Sequence, residues 1–211
     1  MAGTFHVNEV PLTGGSPLDN ASVLLVFLHG RGSTPEEIIG LARELPVDRA
    51  AWIAPRASGR TWYPHSFLQP ISANEPYLSD ALQAVHNMIE RAVLAGIPQQ
   101  RIAVVGFSQG ACLALEAVAR RGSPVGAVIG FSGGLIGPAG TPRDYAGRFE
   151  GMRVFLGCSD VDPHVPAWRV RETADVFSAL GAHVDMRIYR SMGHVINDDE
   201  LAAARGILQG L

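Results

Sequence analysis

Ser22 to Leu28 reads S-V-L-L-V-F-L, an unbroken apolar and β-branched run. Such a run predicts a strand buried on both faces, in a parallel or mixed sheet with helices outside. Ala50 to Ala54, Ile102 to Val105, Val125 to Ile129 and Met152 to Gly157 repeat the pattern, and His183 to Tyr189 alternates. Helical spacing fills the intervals. Tyr77 to Ala95 carries Leu78, Ala81, Leu82, Val85, Met88 and Ile89 on one stripe, ended by Gly96 and Pro98. A helix begins at Pro35, capped by Ser33 or Thr34, and stops near Leu45-Pro46. Further helices are predicted from Ala111 to Arg121, stopped by Gly122, over Trp168 to Leu180, and over Asp198 to Leu211. Phe5 to Leu12 alternates weakly and predicts an edge strand before a turn cluster at Thr13-Gly14-Gly15-Ser16-Pro17. Strand and helix alternate along the whole chain, which predicts one α/β domain over residues 1–211 with right-handed crossovers.

Two stretches lack a period. Gly137 to Gly151 reads as loop, and Arg56 to Pro76 is a long irregular segment carrying Trp62, Tyr63, His65 and Phe67. Insertions of that length are usually functional or mobile. Its aromatic side chains fit either a substrate or partner wall or ordinary loop packing.

The strand at Ile102 runs into Gly106-Phe107-Ser108-Gln109-Gly110, and a helix leaves it. Strand, sharp turn, helix is the setting of a nucleophile elbow, with small residues flanking a strained serine at a helix N-terminus. Gly130-Phe131-Ser132-Gly133-Gly134 fits the same G-x-S-x-G pattern, but Leu135-Ile136-Gly137-Pro138-Ala139-Gly140 cannot begin a regular helix. Ser132 therefore reads as a strand-end loop residue, on the edge of the same cleft.

Composition prunes the alternatives. Of 211 residues, 47% are hydrophobic, enough for a sizeable core, and the net charge of −3 offers no basic field for nucleic acid. All 17 basic residues are arginine, which excludes a Walker A lysine, a Schiff-base lysine and a Ser-Lys dyad. No Cys-x-x-Cys or His-Glu-x-x-His occurs, so no metal site is expected. Cys112 and Cys158 read as buried, reduced small hydrophobes. The start, Met1 to His6, has no signal-peptide pattern and no stretch is long enough to span a bilayer, so a cytoplasmic location is expected.

A serine nucleophile needs a base and an orienting acid, and after such an elbow they follow in the order Ser, acid, His. The loop after Gly157 offers Asp160 and Asp162, between which spacing does not choose. Asp-Pro gives a fixed turn at Asp162, whereas Asp160 suits capping of backbone N–H groups. The loop after Tyr189 offers His194, with His164 on the acid loop as the rival base.

Leu28-His29-Gly30, Gly106-Phe107-Ser108-Gln109-Gly110-Ala111, Asp162-Pro163-His164-Val165-Pro166 and Gly193-His194 together resemble the small carboxylesterase, acyl-protein thioesterase and phospholipase-like branch of the α/β-hydrolases. The resemblance covers nearly the whole chain. It implies the α/β-hydrolase fold, a mostly parallel central sheet flanked by helices on both faces. It implies Ser108 as nucleophile, Asp162 as acid and His194 as base, with no cofactor and a small-molecule ester as substrate. It implies an oxyanion hole from the backbone N–H groups of Arg31 and Gln109, and homodimers are common among relatives. His29, beside that hole, joins Trp62 and Tyr63 as a candidate substrate-binding residue.

The sequence departs from the thioesterases at Arg31, where they carry an apolar residue, and along Arg56 to Pro76. A guanidinium beside the cleft suggests acidic or polar substrates, and both departures point to small soluble esters rather than long acyl chains. Thioesterase, lysophospholipase and lactone hydrolysis are the alternatives. A dienelactone-type enzyme would use a cysteine where Ser108 stands, and a non-catalytic binding protein would not need the triad.

Overall fold

The structure, a computed structural model, describes Phe5, His6 and residues 9–211. Seven strands form one sheet: β1 (Leu12–Gly15), β2 (Val23–Leu28), β3 (Ala50–Ala54), β4 (Ile102–Phe107), β5 (Ala127–Phe131), β6 (Arg153–Ser159) and β7 (His183–Tyr189). Their spatial order is β1-β3-β2-β4-β5-β6-β7. β1 pairs antiparallel with β3, and every other neighbouring pair is parallel. Parallel strands point their carboxyl ends the same way, so the loops after β2, β4, β6 and β7 gather at one end.

The continuous apolar runs are explained by burial on both faces. In β2, Leu24, Val26 and Leu28 pack with α3 (Tyr77–Leu94), α4 (Gln109–Arg121) and α5 (Ala167–Ala179). Val23, Leu25 and Phe27 pack on the opposite side with the short helices α1 (Pro35–Ile38) and α2 (Gly40–Glu44) and with α6 (Asp198–Leu208). Alternate residues of one strand thus feed two cores. This is the α/β-hydrolase architecture.

The N-terminal reading is corrected. The edge strand occupies Leu12–Gly15, running from the last residue of the expected strand into the expected turn cluster, while Phe5, His6 and residues 9–11 are not in a strand and Val7 and Asn8 of the expected strand lie outside the described residues. The reason is Trp52 of β3. Its ring lies where a Cβ of Gly14 would stand, so the glycines make room for a flat aromatic cover instead of turning the chain. The helix expected from Pro35 to Leu45 is two short helices, broken at Ile39 before Gly40.

Candidate active site

Ser108 has φ 56 and ψ −120, a conformation an L-residue holds only under constraint. Its N–H donates to the Phe131 carbonyl at 2.9 Å, and its own carbonyl accepts from Cys112 N–H at 3.0 Å. A Cβ on Gly106 would collide with the Gly110 carbonyl, so the strand and helix meet only as glycines. The turn lifts Oγ to the N-terminus of α4, where the helix dipole favours developing negative charge.

His194 stands against that hydroxyl. Its Nε2 lies 2.8 Å from Ser108 Oγ, and its Nδ1 lies 2.7 Å from Asp162 Oδ2. The imidazole is held between two rings, Phe107 at 4.9 Å and His164 at 4.8 Å between centroids. The Asp162 side chain is shielded from solvent, although the residue as a whole is only half-buried. Its Oδ1 accepts the backbone N–H groups of His164 at 2.8 Å and Val165 at 2.9 Å, the turn that Asp-Pro begins. Burial alone would raise its pKa, but the His194 contact and these amides outweigh it, and the carboxyl is held below its usual range.

Asp160 takes the other role. Its Oδ1 accepts Ser191 N–H at 2.8 Å, on the loop that carries His194. Ser159, which sequence reading passed over, is buried at the end of β6, and its Oγ accepts Met192 and Gly193 N–H groups at 3.1 Å each. The acid loop thus holds the histidine loop by main-chain bonds. No motif marks Ser159, because its partners are amides of any residue type.

The backbone N–H groups of Arg31 and Gln109 meet no acceptor among the described residues. One lies after β2 and the other begins α4, flanking Ser108. The Arg31 guanidinium donates to the carbonyls of Tyr63, Pro64 and His65. The guanidinium is thus tied to the backbone of residues 63–65 while it still lines the cleft.

A cleft of about 640 Å³ opens at Ser108 and His194, walled by Tyr63, Phe67, Phe107, Cys112, His164 and Val165. That is within the size range of small-molecule sites. The three candidate substrate-binding residues part company here. All three are buried, but Tyr63 lines the cleft while Trp62 and His29 are not among its lining residues. Trp62 Nε1–H donates to the His29 carbonyl at 2.8 Å, which turns the indole inward. His29 Nε2 accepts Ala57 N–H at 3.1 Å, so Nδ1 carries the proton and donates to the Gly30 carbonyl at 2.9 Å. Burial lowers its pKa, consistent with that neutral ring. His6 does the same on the far side, accepting from Ser58 N–H and donating to the Trp62 carbonyl, each at 3.0 Å. Burial lowers its pKa too. Ser132 has φ 50 like an elbow residue, but it is fully buried and lies off the cleft, which corrects its placement at the edge.

A family model described as Phospholipase/Carboxylesterase matches residues 15–210. The chain belongs to the phospholipase/carboxylesterase family. The family is one of ester-cleaving hydrolases. The crystal structure of a phospholipase/carboxylesterase from Dyadobacter fermentans DSM 18053 is 38% identical, with a TM-score of 0.93, over 99% of this chain and 100% of that one. Acyl-protein thioesterase 1 of Gibberella zeae is 32% identical over 129 residues, 59% of this chain and 54% of that protein. That match therefore spans about half the relative's length. A protein of Oryza sativa subsp. japonica described as a probable inactive carboxylesterase is 25% identical over 214 residues, 90% of this chain and 84% of the relative.

Two thiols lie near the site of this phospholipase/carboxylesterase family member. Cys112 and Cys158 are both free and buried. Burial pushes each thiol up to about 12, which leaves neither as a nucleophile at neutral pH. Among the described residues no group of three or more His, Cys, Asp or Glu is arranged to hold a metal ion, and no helix is long and apolar enough to cross a membrane.

Proposed function

We propose that the protein is a serine carboxylesterase for small soluble esters, working through Ser108, Asp162 and His194. The observation that carries this reading is the unbroken line of contacts from Asp162 Oδ2 to His194 Nδ1 at 2.7 Å and from His194 Nε2 to Ser108 Oγ at 2.8 Å. His194 Nε2 takes the Ser108 proton as Oγ attacks the ester carbonyl. The carbonyl oxygen becomes an oxyanion, met by the Arg31 and Gln109 amides. His194 then gives its proton to the departing alkoxide, and an alcohol leaves the acyl-enzyme. Water, deprotonated by His194, attacks the acyl carbon, and Ser108 Oγ leaves with the proton. Two amide donors at such an oxyanion supply several kcal/mol, about 3 for one.

A fluorophosphonate adduct mapped by mass spectrometry tests this reading. A single adduct on Ser108 is the expected result. An adduct on Ser132 would overturn the elbow assignment, and folded protein that never labels and cleaves no ester would make this chain a non-catalytic member, as the name of the rice relative suggests for that protein.

Thioester cleavage is the second reading, favoured by the match to an acyl-protein thioesterase. The acyl-enzyme is the same and only the leaving group differs. Rates on a matched oxygen ester and thioester of one acid separate the two. A cytoplasmic location and a homodimer belong to the same reading, and sedimentation of the purified protein tests the second.

A further inference from the structure

The two residues whose amides flank Ser108 grip one segment of the cleft wall with their side chains. Gln109 is buried. Its Oε1 accepts Trp62 N–H at 3.0 Å, and its Nε2 donates to the Tyr63 carbonyl at 2.8 Å and to Thr61 Oγ1 at 3.2 Å. Thr61 Oγ1 donates in turn to the Tyr63 carbonyl at 3.0 Å. Arg31 reaches the same atom from the other side, donating from Nη2 to Tyr63 O at 3.0 Å and His65 O at 2.7 Å, and from Nη1 to Pro64 O at 2.9 Å. One carbonyl, that of Tyr63, therefore accepts from both residues of the proposed oxyanion hole.

The need for such a tie is written in the local sequence. Gln109 opens a thirteen-residue helix and is fixed by it. Arg31 lies between Gly30 and Gly32 in a turn closed by one main-chain bond, Ser33 N–H to the Gly30 carbonyl at 3.2 Å, and Gly32 has φ 78, so its amide is held less firmly than that of Gln109. Gly32 N–H to Arg60 O at 2.8 Å is the one main-chain bond joining that loop to residues 60–65. An oxyanion hole works only if both donors stand at about 2.7–3.1 Å from the developing charge. A turn closed by one bond at 3.2 Å leaves that spacing to be braced from outside the Arg31 loop.

We infer that the Tyr63 carbonyl is the strut that sets the distance between the Arg31 and Gln109 amides, and that the Arg31 side chain is a positioning residue for the oxyanion hole rather than a substrate contact. The inference rests on the serine-hydrolase reading above. The oxyanion exists only after attack, so a misplaced amide lowers kcat and leaves KM alone.

The test compares wild type with Arg31→Met, Arg31→Lys and Thr61→Val on two p-nitrophenyl esters, the neutral butyrate and the anionic hemisuccinate. Arg31 is exposed and Thr61 is half-buried, so neither set of variants removes a core side chain. Arg31→Met is expected to lower kcat roughly tenfold on both esters with KM within about twofold. Arg31→Lys, whose ammonium has three donors for the converging carbonyls, restores most of that loss. Thr61→Val shows a smaller kcat loss, again at constant KM. Unchanged kcat in Arg31→Met overturns the strut. So does a KM rise confined to the hemisuccinate, which would make the guanidinium a substrate contact. If wild type itself neither cleaves an ester nor labels at Ser108, it is the hydrolase reading that has failed.

Discussion

Gly106 faces the carbonyl of Gly110 with no room for a Cβ between them, and Gly110 faces the carbonyls of Leu28 and His29 in the same way. The collisions are with backbone, which cannot rotate aside. Gly106→Ala and Gly110→Ala are each expected to cost at least about 1–3 kcal/mol, the usual range for overpacking a filled site. Urea unfolding measures it. Gly110→Ala should also reduce esterase activity in the folded fraction, because it pushes on the chain that leads to Arg31.

The triad separates the two neighbouring aspartates. Ser108→Ala and His194→Ala are expected to remove nearly all activity without unfolding the protein. Asp162→Asn should cost about 10³–10⁴ in kcat, as the loss of an orienting carboxylate does in comparable triads. Asp160→Asn keeps an oxygen for Ser191 N–H and should lose little. Equal losses at the two positions would remove Asp162 from its role.

Glu200 gives a pH signature in stability. It is buried at the start of α6, where Oε2 accepts Asn197 N–H at 2.8 Å while Oε1 sits against Gly157 without a partner among the described residues. Burial first, then the nearby Asp199 charge, raise its pKa from 4.5 to about 7 against the Asn197 bond. The folded state keeps a proton that the unfolded chain loses near 4.5. Stability therefore falls between about pH 4.5 and 7, by at most about 1.4 kcal/mol per pH unit, and levels off above. Glu200→Gln retains a capping residue and cannot ionise, so at pH 8 it should melt higher than wild type. Asp162 acts in the opposite sense. Its depressed pKa contributes stability that disappears as pH falls through the folded value. Melting temperatures from about pH 2 to 8 test both signs, the Asp162 loss falling below the ordinary carboxylate value and the Glu200 loss above it.

Cys112 and Cys158 are expected to stay silent toward a thiol-reactive dye at pH 8 in the native protein and to titrate fully, both of them, in guanidinium. Fast native reaction of either would contradict thiols pushed up to about 12.

Much of this architecture was legible in the residues, and the gaps have physical causes. The buried strands announce themselves because two-sided burial leaves no polar position in Val23–Leu28 or Ile102–Val105. The elbow is local, so its glycines sit where a pattern finds them. β1 was hidden because the partner of Gly14 is Trp52, far along the chain. Asp160 and Asp162 were inseparable by spacing, since their roles follow from which way each carboxylate turns. Trp62 and Tyr63 look alike in sequence, yet one is drawn inward by the His29 carbonyl while the other faces the cleft. The anchoring of the Arg31 side chain was not legible, because its three acceptors are main-chain carbonyls, invisible in any list of residue types.

The two neutral histidines that staple residues 57–62 from either side bear on how ligands should be sought. A wall held by His6, His29, Gln109 and Arg31 is pinned by side chains that come from separate stretches of the chain. Rigid docking and fragment soaking take that pinned wall as their starting shape. The informative library is one that varies bulk toward Phe67 and Val165 while keeping the reactive carbonyl constant.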